Sequence, residues 1–82
     1  MEEWFVYALR GLRDNNLYIG ISQNPEKQVE THNKGKTEST RNRRPLVLIY
    51  KENCNSLKEA RQKEKYYKSG IGREVLKNLI PR

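Results

Sequence analysis

Phe5-Val6-Tyr7-Ala8-Leu9 and Leu17-Tyr18-Ile19-Gly20-Ile21 are two β-branched and aromatic runs, separated by a segment that holds Arg13-Asp14-Asn15-Asn16. Apolar runs bounded by Asp and Asn read as two strands of a hairpin. The first strand, residues 4–10, places Trp4, Val6 and Ala8 on one face and Phe5, Tyr7 and Leu9 on the other. Both faces are apolar, so this strand is expected to be covered on both sides. The second strand, Leu17 to Ser22, puts Leu17, Ile19 and Ile21 opposite Tyr18, Gly20 and Ser22.

Beyond this hairpin, Asn24-Pro25 reads as a helix N-cap followed by proline at the first helical position. The helix is expected to reach Asn33 and stop at Gly35. It carries one aliphatic residue, Val29, so its docking rests on Val29 and the ring of His32. Pro45 opens a third strand, Leu46-Val47-Leu48-Ile49-Tyr50, the most apolar run of the chain and the expected centre of the sheet. Ser56-Leu57-Lys58-Glu59 is a capping box. The helix it starts is expected to run to Ser69 and end at Gly70. A last helix after Gly72 presents Val75, Leu76, Leu79 and Ile80 as a docking stripe. The element order is β-β-α-β-α-α in a single domain.

The chain has 82 residues, 34% hydrophobic and 33% charged, so one small core sits under a highly charged surface. No apolar run approaches the roughly 20 residues that span a bilayer. Met1 is followed by two glutamates rather than a basic and apolar leader, and a cytoplasmic location is expected. One cysteine and one histidine exclude an internal disulfide and a His/Cys zinc site. The net charge is +7. Lys34, Lys36, Arg41, Arg43 and Arg44 against Glu38 place a net charge of +4 within residues 34–44, in a Thr-, Ser- and Gly-containing stretch. That concentration points to a polyanion partner, nucleic acid first, with strongly salt-dependent binding.

Two features stand out chemically. In the helix from Leu57, Glu64 shares a stripe with Leu57, Ala60 and Tyr67, while Lys58, Glu59, Arg61, Gln62, Lys65 and Lys68 occupy the other side. A carboxylate on an inward stripe needs a partner. Spacing alone favours a salt bridge over a Mg²⁺ ion held by one carboxylate with phosphate oxygens and waters. Tyr7 and Tyr18 are the second feature. They are either core-edge phenols bonded to backbone or two hydroxyls converging on one phosphate, with Gly20 allowing close approach. His32 is a candidate base or phosphate donor, and spacing by itself does not decide its role.

Taken together these residues resemble the GIY-YIG nuclease domain. Phe5-Val6-Tyr7 is a degenerate first motif that keeps its tyrosine, and Tyr18-Ile19-Gly20 is an intact second one. The likeness continues through Asn24-Pro25-Glu26, His32-Asn33-Lys34-Gly35-Lys36, Arg43-Arg44-Pro45, Ala60 to Glu64, Lys68-Ser69-Gly70 and Gly72-Arg73. It is closest in kind to the small single-domain bacterial members, similar to the N-terminal nuclease module of the excision-repair incision subunit. The resemblance implies an α+β fold, a three-stranded antiparallel sheet flanked by helices. It implies hydrolysis of DNA phosphodiesters with one Mg²⁺ or Mn²⁺ ion. Tyr18 would position or activate the attacking water, Tyr7 would orient water or phosphate, Glu64 would hold the metal, and His32 would assist. A partner protein supplying target choice is compatible with so small a surface, and RNA stays open beside DNA.

One departure matters. Family members carry an arginine two residues after the acidic position of the first helix, and here that position is Gln28. Glutamine brings a donor without charge or a bidentate fork. Losing one preorganised donor typically costs ~10²–10³ in rate. Arg41, Arg43 or Arg61 would have to substitute, or the site is impaired; an introduced replacement that disables the site would read the same way. Three readings follow: a metal-dependent endonuclease of reduced activity, a module that binds DNA or another polyanion without cutting, and, disfavoured by Glu64 on an apolar face, a structural remnant acting through protein contacts.

Overall fold

The structure, a computed structural model, describes residues 3–35 and 44–79. Its elements are β1 (Trp4–Gly11), β2 (Leu17–Ser22), α1 (Pro25–Asn33), β3 (Leu46–Cys54), α2 (Leu57–Lys68) and α3 (Gly70–Leu79). The strands form one antiparallel sheet in the order β2-β1-β3. The α+β architecture and the element order expected from sequence are therefore present. No helix among the described residues is long and apolar enough to cross a membrane.

The centre of the sheet is β1, which corrects the sequence expectation for β3. Val6, Tyr7, Ala8 and Leu9 are all buried, two on each face, as a central strand covered on both sides must be. β3 is an edge strand, and it is longer than its apolar run. Lys51, Glu52 and Asn53 pair with Tyr7, Val6 and Phe5, so backbone pairing carries the strand to Cys54 although its side chains turn polar. A register shift between Ala8 and Leu9 leaves Ile49 as an extra residue, since Ala8 faces Tyr50 and Leu9 faces Leu48. Leu46 and Leu48 accordingly pack on one side of the sheet, Ile49 and Tyr50 on the other.

The two faces hold separate cores. Val6, Ala8 and Cys54 pack with Ala60 and Tyr67 of α2 and Leu76 of α3. Tyr7, Leu9 and Leu46 pack with Tyr18, Leu48 and Val29 of α1. Val29 docks α1 as expected, but two other residues secure that helix. Pro25 is buried at its start. At its end the Asn33 amide donates to the Leu46 carbonyl at 2.9 Å and accepts from the Leu46 N–H at 2.7 Å, acting as a short piece of strand.

The turn from α2 to α3 is tighter than the glycines alone imply. Ser69 ends α2 through its N–H to the Tyr66 carbonyl and starts α3 by accepting from the Gly72 N–H through Oγ and from the Arg73 N–H through its carbonyl. α3 thus begins at Gly70 rather than after Gly72. A Cβ on Gly72 would lie 1.8 Å from the Tyr66 carbonyl oxygen, so only glycine lets the two helices meet there. The docking stripe of α3 is also narrower than expected. Leu76 is buried, whereas Val75 and Leu79 stay exposed, because a helix held so close at its start turns one residue per turn inward. Ile80 lies outside the described residues.

A polar cluster ties β3 to α2. The half-buried Glu52 carboxylate accepts from Tyr50 Oη at 2.7 Å and Tyr67 Oη at 2.8 Å, and pairs with Lys63 Nζ. Burial alone would raise the Glu52 pKa; the hydrogen bonds from Lys63, Tyr50 and Tyr67 outweigh it and hold the carboxyl below its usual range. Burial and Glu52 in turn push both phenols up. Replacing Glu52 with alanine strands two hydroxyls and an ammonium together. Glu52→Ala is expected to lower unfolding free energy by about 1–3 kcal/mol, measured by chemical denaturation at neutral pH. An unchanged midpoint would mean solvent replaces all three bonds without loss.

Candidate active site

The site starts from a steric fact. Tyr7 and Gly20 are cross-strand partners, and the Tyr7 ring lies across Gly20. A Cβ at position 20 would sit 2.6 Å from Tyr7 Oη and 2.8 Å from Cζ. Gly20 is there to receive the tyrosine ring, a more specific role than the general close approach expected from sequence. The Tyr7 side chain is 6% exposed. Burial first, and the Glu64 charge second, raise the Tyr7 pKa above the ordinary phenol value. Both effects favour the protonated phenol, a hydrogen-bond donor.

Tyr18 packs against the same cluster from β2. Its hydroxyl donates to Asp14 Oδ2 at 2.7 Å, while Asp14 Oδ1 accepts from the Asn16 N–H at 3.0 Å. In sequence Asp14 reads only as a turn former. The signal pointing to its further role is the four-residue offset to Tyr18 across a tight connection, in which Asn15 takes a positive φ of 59°.

Glu64 lies where the spacing places it, one turn from buried Ala60 and buried Tyr67. Its side chain is 26% exposed and pairs with Lys68 Nζ at 3.3 Å, one turn along its own helix. The salt bridge that spacing favours is present, but its partner Lys68 is mostly exposed rather than at the core edge. A carboxylate held by one exposed lysine keeps lone pairs to offer. Among the described residues no group of three or more His, Cys, Asp and Glu side chains converges on a point. A donor set of one carboxylate suits a hard divalent ion that retains waters and takes phosphate oxygens, and does not suit an all-protein cage.

On α1, Gln28, Val29 and His32 fall on one half-buried face. Gln28 lines a shallow depression with Trp4, Ile21, Ser22 and Asn24 that shares no residue with Tyr7, Tyr18 or Glu64. Its side-chain amide makes no hydrogen bond among the described residues. Glu26, two positions earlier, pairs with Lys51 of β3 at 2.6 Å, and Lys51 also lies 5.4 Å over the Phe5 ring. Of the basic loop, Lys34 caps the end of α1 and Arg44 reaches back to the Asn33 carbonyl at 3.4 Å. Lys36, Arg41 and Arg43 lie outside the described residues. Cys54 is buried and its thiol pushed up by that burial, consistent with an inert core residue.

A family profile described as the GIY-YIG catalytic domain matches residues 3–74. The chain belongs to the GIY-YIG catalytic domain family. Among its relatives is UPF0213 protein SH2523 of Staphylococcus haemolyticus, 37% identical over 83 aligned positions that cover all of both chains. A second is UPF0213 protein BLi00048/BL00536 of Bacillus licheniformis, 46% identical over 78% of this chain and 66% of that one. The solution structure of UPF0213 protein BH0048 from Bacillus halodurans superposes with a TM-score of 0.57 at 29% identity, covering 94% of this chain and 84% of that one. The GIY-YIG motifs here, Phe5-Val6-Tyr7 and Tyr18-Ile19-Gly20, are thus the two strands that bring the tyrosines to one cluster.

Gly20→Ala is expected to cost about 1–3 kcal/mol through overpacking against the Tyr7 ring. The same change in a Tyr7→Leu background should cost much less, and denaturation of the four proteins measures the coupling. Equal costs in both backgrounds would remove the ring from the explanation. For His32, burial holds the imidazole below its ordinary range. The unfolded chain then binds the proton more readily, so stability is full above about pH 6.5 and falls as pH drops below it. Wild type should lose more stability than His32→Gln between about pH 7 and pH 5.5. Parallel losses would show that this titration is uncoupled from folding.

Proposed function

We propose that this GIY-YIG domain is a divalent-metal-dependent DNA endonuclease whose rate is limited by Gln28. The observation that carries the reading is the gathering of Tyr7 and Tyr18 into one cluster, with the Tyr7 ring seated on Gly20, beside a half-buried Glu64 on the inward stripe of α2. Glu64 would hold one Mg²⁺ or Mn²⁺ ion, which when bound supplies positive charge to the phosphate and the departing 3′ oxygen. The Tyr7 phenol, kept protonated by burial, donates to a phosphate oxygen. Tyr18 donates a hydrogen bond to Asp14, which orients its hydroxyl, and it would position the attacking water. Water forms the new O–P bond as the P–O3′ bond breaks; the proton that the water loses passes to solvent, and the departing oxygen takes up a proton from solvent. His32, whose imidazole burial favours in the neutral form, would assist the site. Lys34 and Arg44, with Lys36, Arg41 and Arg43, supply the cationic approach for DNA.

Gln28 also supports a second reading, a module that binds nucleic acid and cuts slowly or not at all. Its neutral amide stands where the family places a guanidinium, and a donor missing from a preorganised site is worth ~10²–10³ in rate.

A cleavage assay on plasmid, nicked and branched DNA with Mg²⁺ or Mn²⁺ separates the readings. Cutting by the chain is expected, rising by ~10² or more in Gln28→Arg and vanishing in Glu64→Ala while DNA binding persists. Cutting confined to Gln28→Arg would favour the binding module. No cutting by any version would sink the nuclease reading on these substrates.

A further inference from the structure

We infer that the outer face of α2 is a second DNA-backbone surface, along which duplex runs outward from Glu64. The inference deepens the proposed function and rests on it for the position of the scissile phosphate. Along α2, Lys58, Arg61, Lys65 and Lys68 occupy one continuous arc with Gln62. Leu57, Lys58, Arg61, Gln62 and Lys65 line a shallow groove on this face. Arg61 stands one turn before Glu64 on the helix, and Lys68 one turn after it, so the basic arc begins beside the candidate metal-holding carboxylate.

The competing explanation is a face charged only for solubility, and the pairing pattern decides against it. Solubilising helix faces intersperse both signs, so that Glu and Lys meet at i, i+4. Here the positions four residues after Lys58, Arg61 and Lys65 are Gln62, Lys65 and Ser69. Lys58, Arg61 and Lys65 are exposed and make no ion pair among the described residues. The acids of the helix are engaged elsewhere: Glu59 accepts from the Asn55 N–H at 3.0 Å in the capping box, and Glu64 pairs with Lys68. Lys58, Arg61 and Lys65 therefore repel one another, with Glu64 one turn from Arg61 at the edge of the arc, and a polyanion relieves that repulsion. Lys58 and Lys65 are roughly 10 Å apart along the axis at about 1.5 Å per residue. That length matches about three phosphates of one strand at ~3.4 Å of duplex axis each.

The test compares the chain with the Lys58→Gln/Arg61→Gln/Lys65→Gln variant on a 30-base-pair duplex across a salt series, with phosphatidylglycerol vesicles as a second anionic probe. The plot of log affinity against log salt is expected to become shallower by about 2–3, near 0.9 for each phosphate that the variant no longer neutralises. An unchanged duplex slope overturns the proposal, and weakened binding confined to vesicles overturns it in favour of a lipid surface. Should the triple variant fail to fold, each single replacement is read the same way, with a change of about 0.9 expected from each. Cleavage by the unmodified chain is recorded alongside. A shallower slope without cutting keeps the surface and removes the nuclease reading; cutting with an unchanged slope does the reverse.

Discussion

Everything else in this fold answers to the burial of β1 on both faces. A domain of this size has few apolar residues, and four consecutive ones, Val6 to Leu9, are committed to a single strand. Successive side chains of a strand alternate, so one strand of this kind must have helices on both sides. The α2–α3 pair closes the face of Val6 and Ala8, and α1 closes the face of Tyr7 and Leu9. The tyrosine at the centre of that strand has no room to stand upright against a neighbouring side chain. It lies down on Gly20, and the two motifs that name the family become one contact.

Polar interactions then decide how the helices sit on that strand. Glu52 draws Tyr50, Tyr67 and Lys63 onto one carboxylate and so holds α2 against the edge strand. Lys63 immediately precedes Glu64, and Tyr67 follows it by one turn. The acid of the candidate site is thereby fixed by its neighbours more than by a partner of its own. Asn33 does the corresponding work for α1, replacing two strand hydrogen bonds with a side-chain amide at Leu46. Both devices compensate for helices that are poor in aliphatic residues.

Charge is distributed just as sparingly. Glu64 pairs with an exposed lysine, Tyr18 points its proton at Asp14, and Tyr7 keeps its own because burial and Glu64 both oppose ionisation. Two of these arrangements leave a chemical capacity open: lone pairs on the Glu64 carboxylate and a proton on Tyr7. Gln28 is the place where the pattern lacks charge, and its unengaged amide lines a depression with Trp4, Ile21 and Ser22.

Local sequence suffices for the elements, their order, the paired tyrosines and the inward stripe of Glu64, because periodicity and capping are written in adjacent residues. Asn24-Pro25 and the Ser56–Glu59 box locate helix starts for that reason. Strand order is a different kind of property. The most apolar run suggests a central β3, yet that strand needs cover for less of its length than β1 does, and its polar half is held by pairing that no side-chain pattern reports. The partners within the site are equally illegible in the chain. Asp14 under Tyr18, Lys68 on Glu64 and the Tyr7 ring over Gly20 are meetings across a turn, along a helix and between strands. Sequence spacing permits each of them, and only the packing of two helical layers on one buried strand selects them.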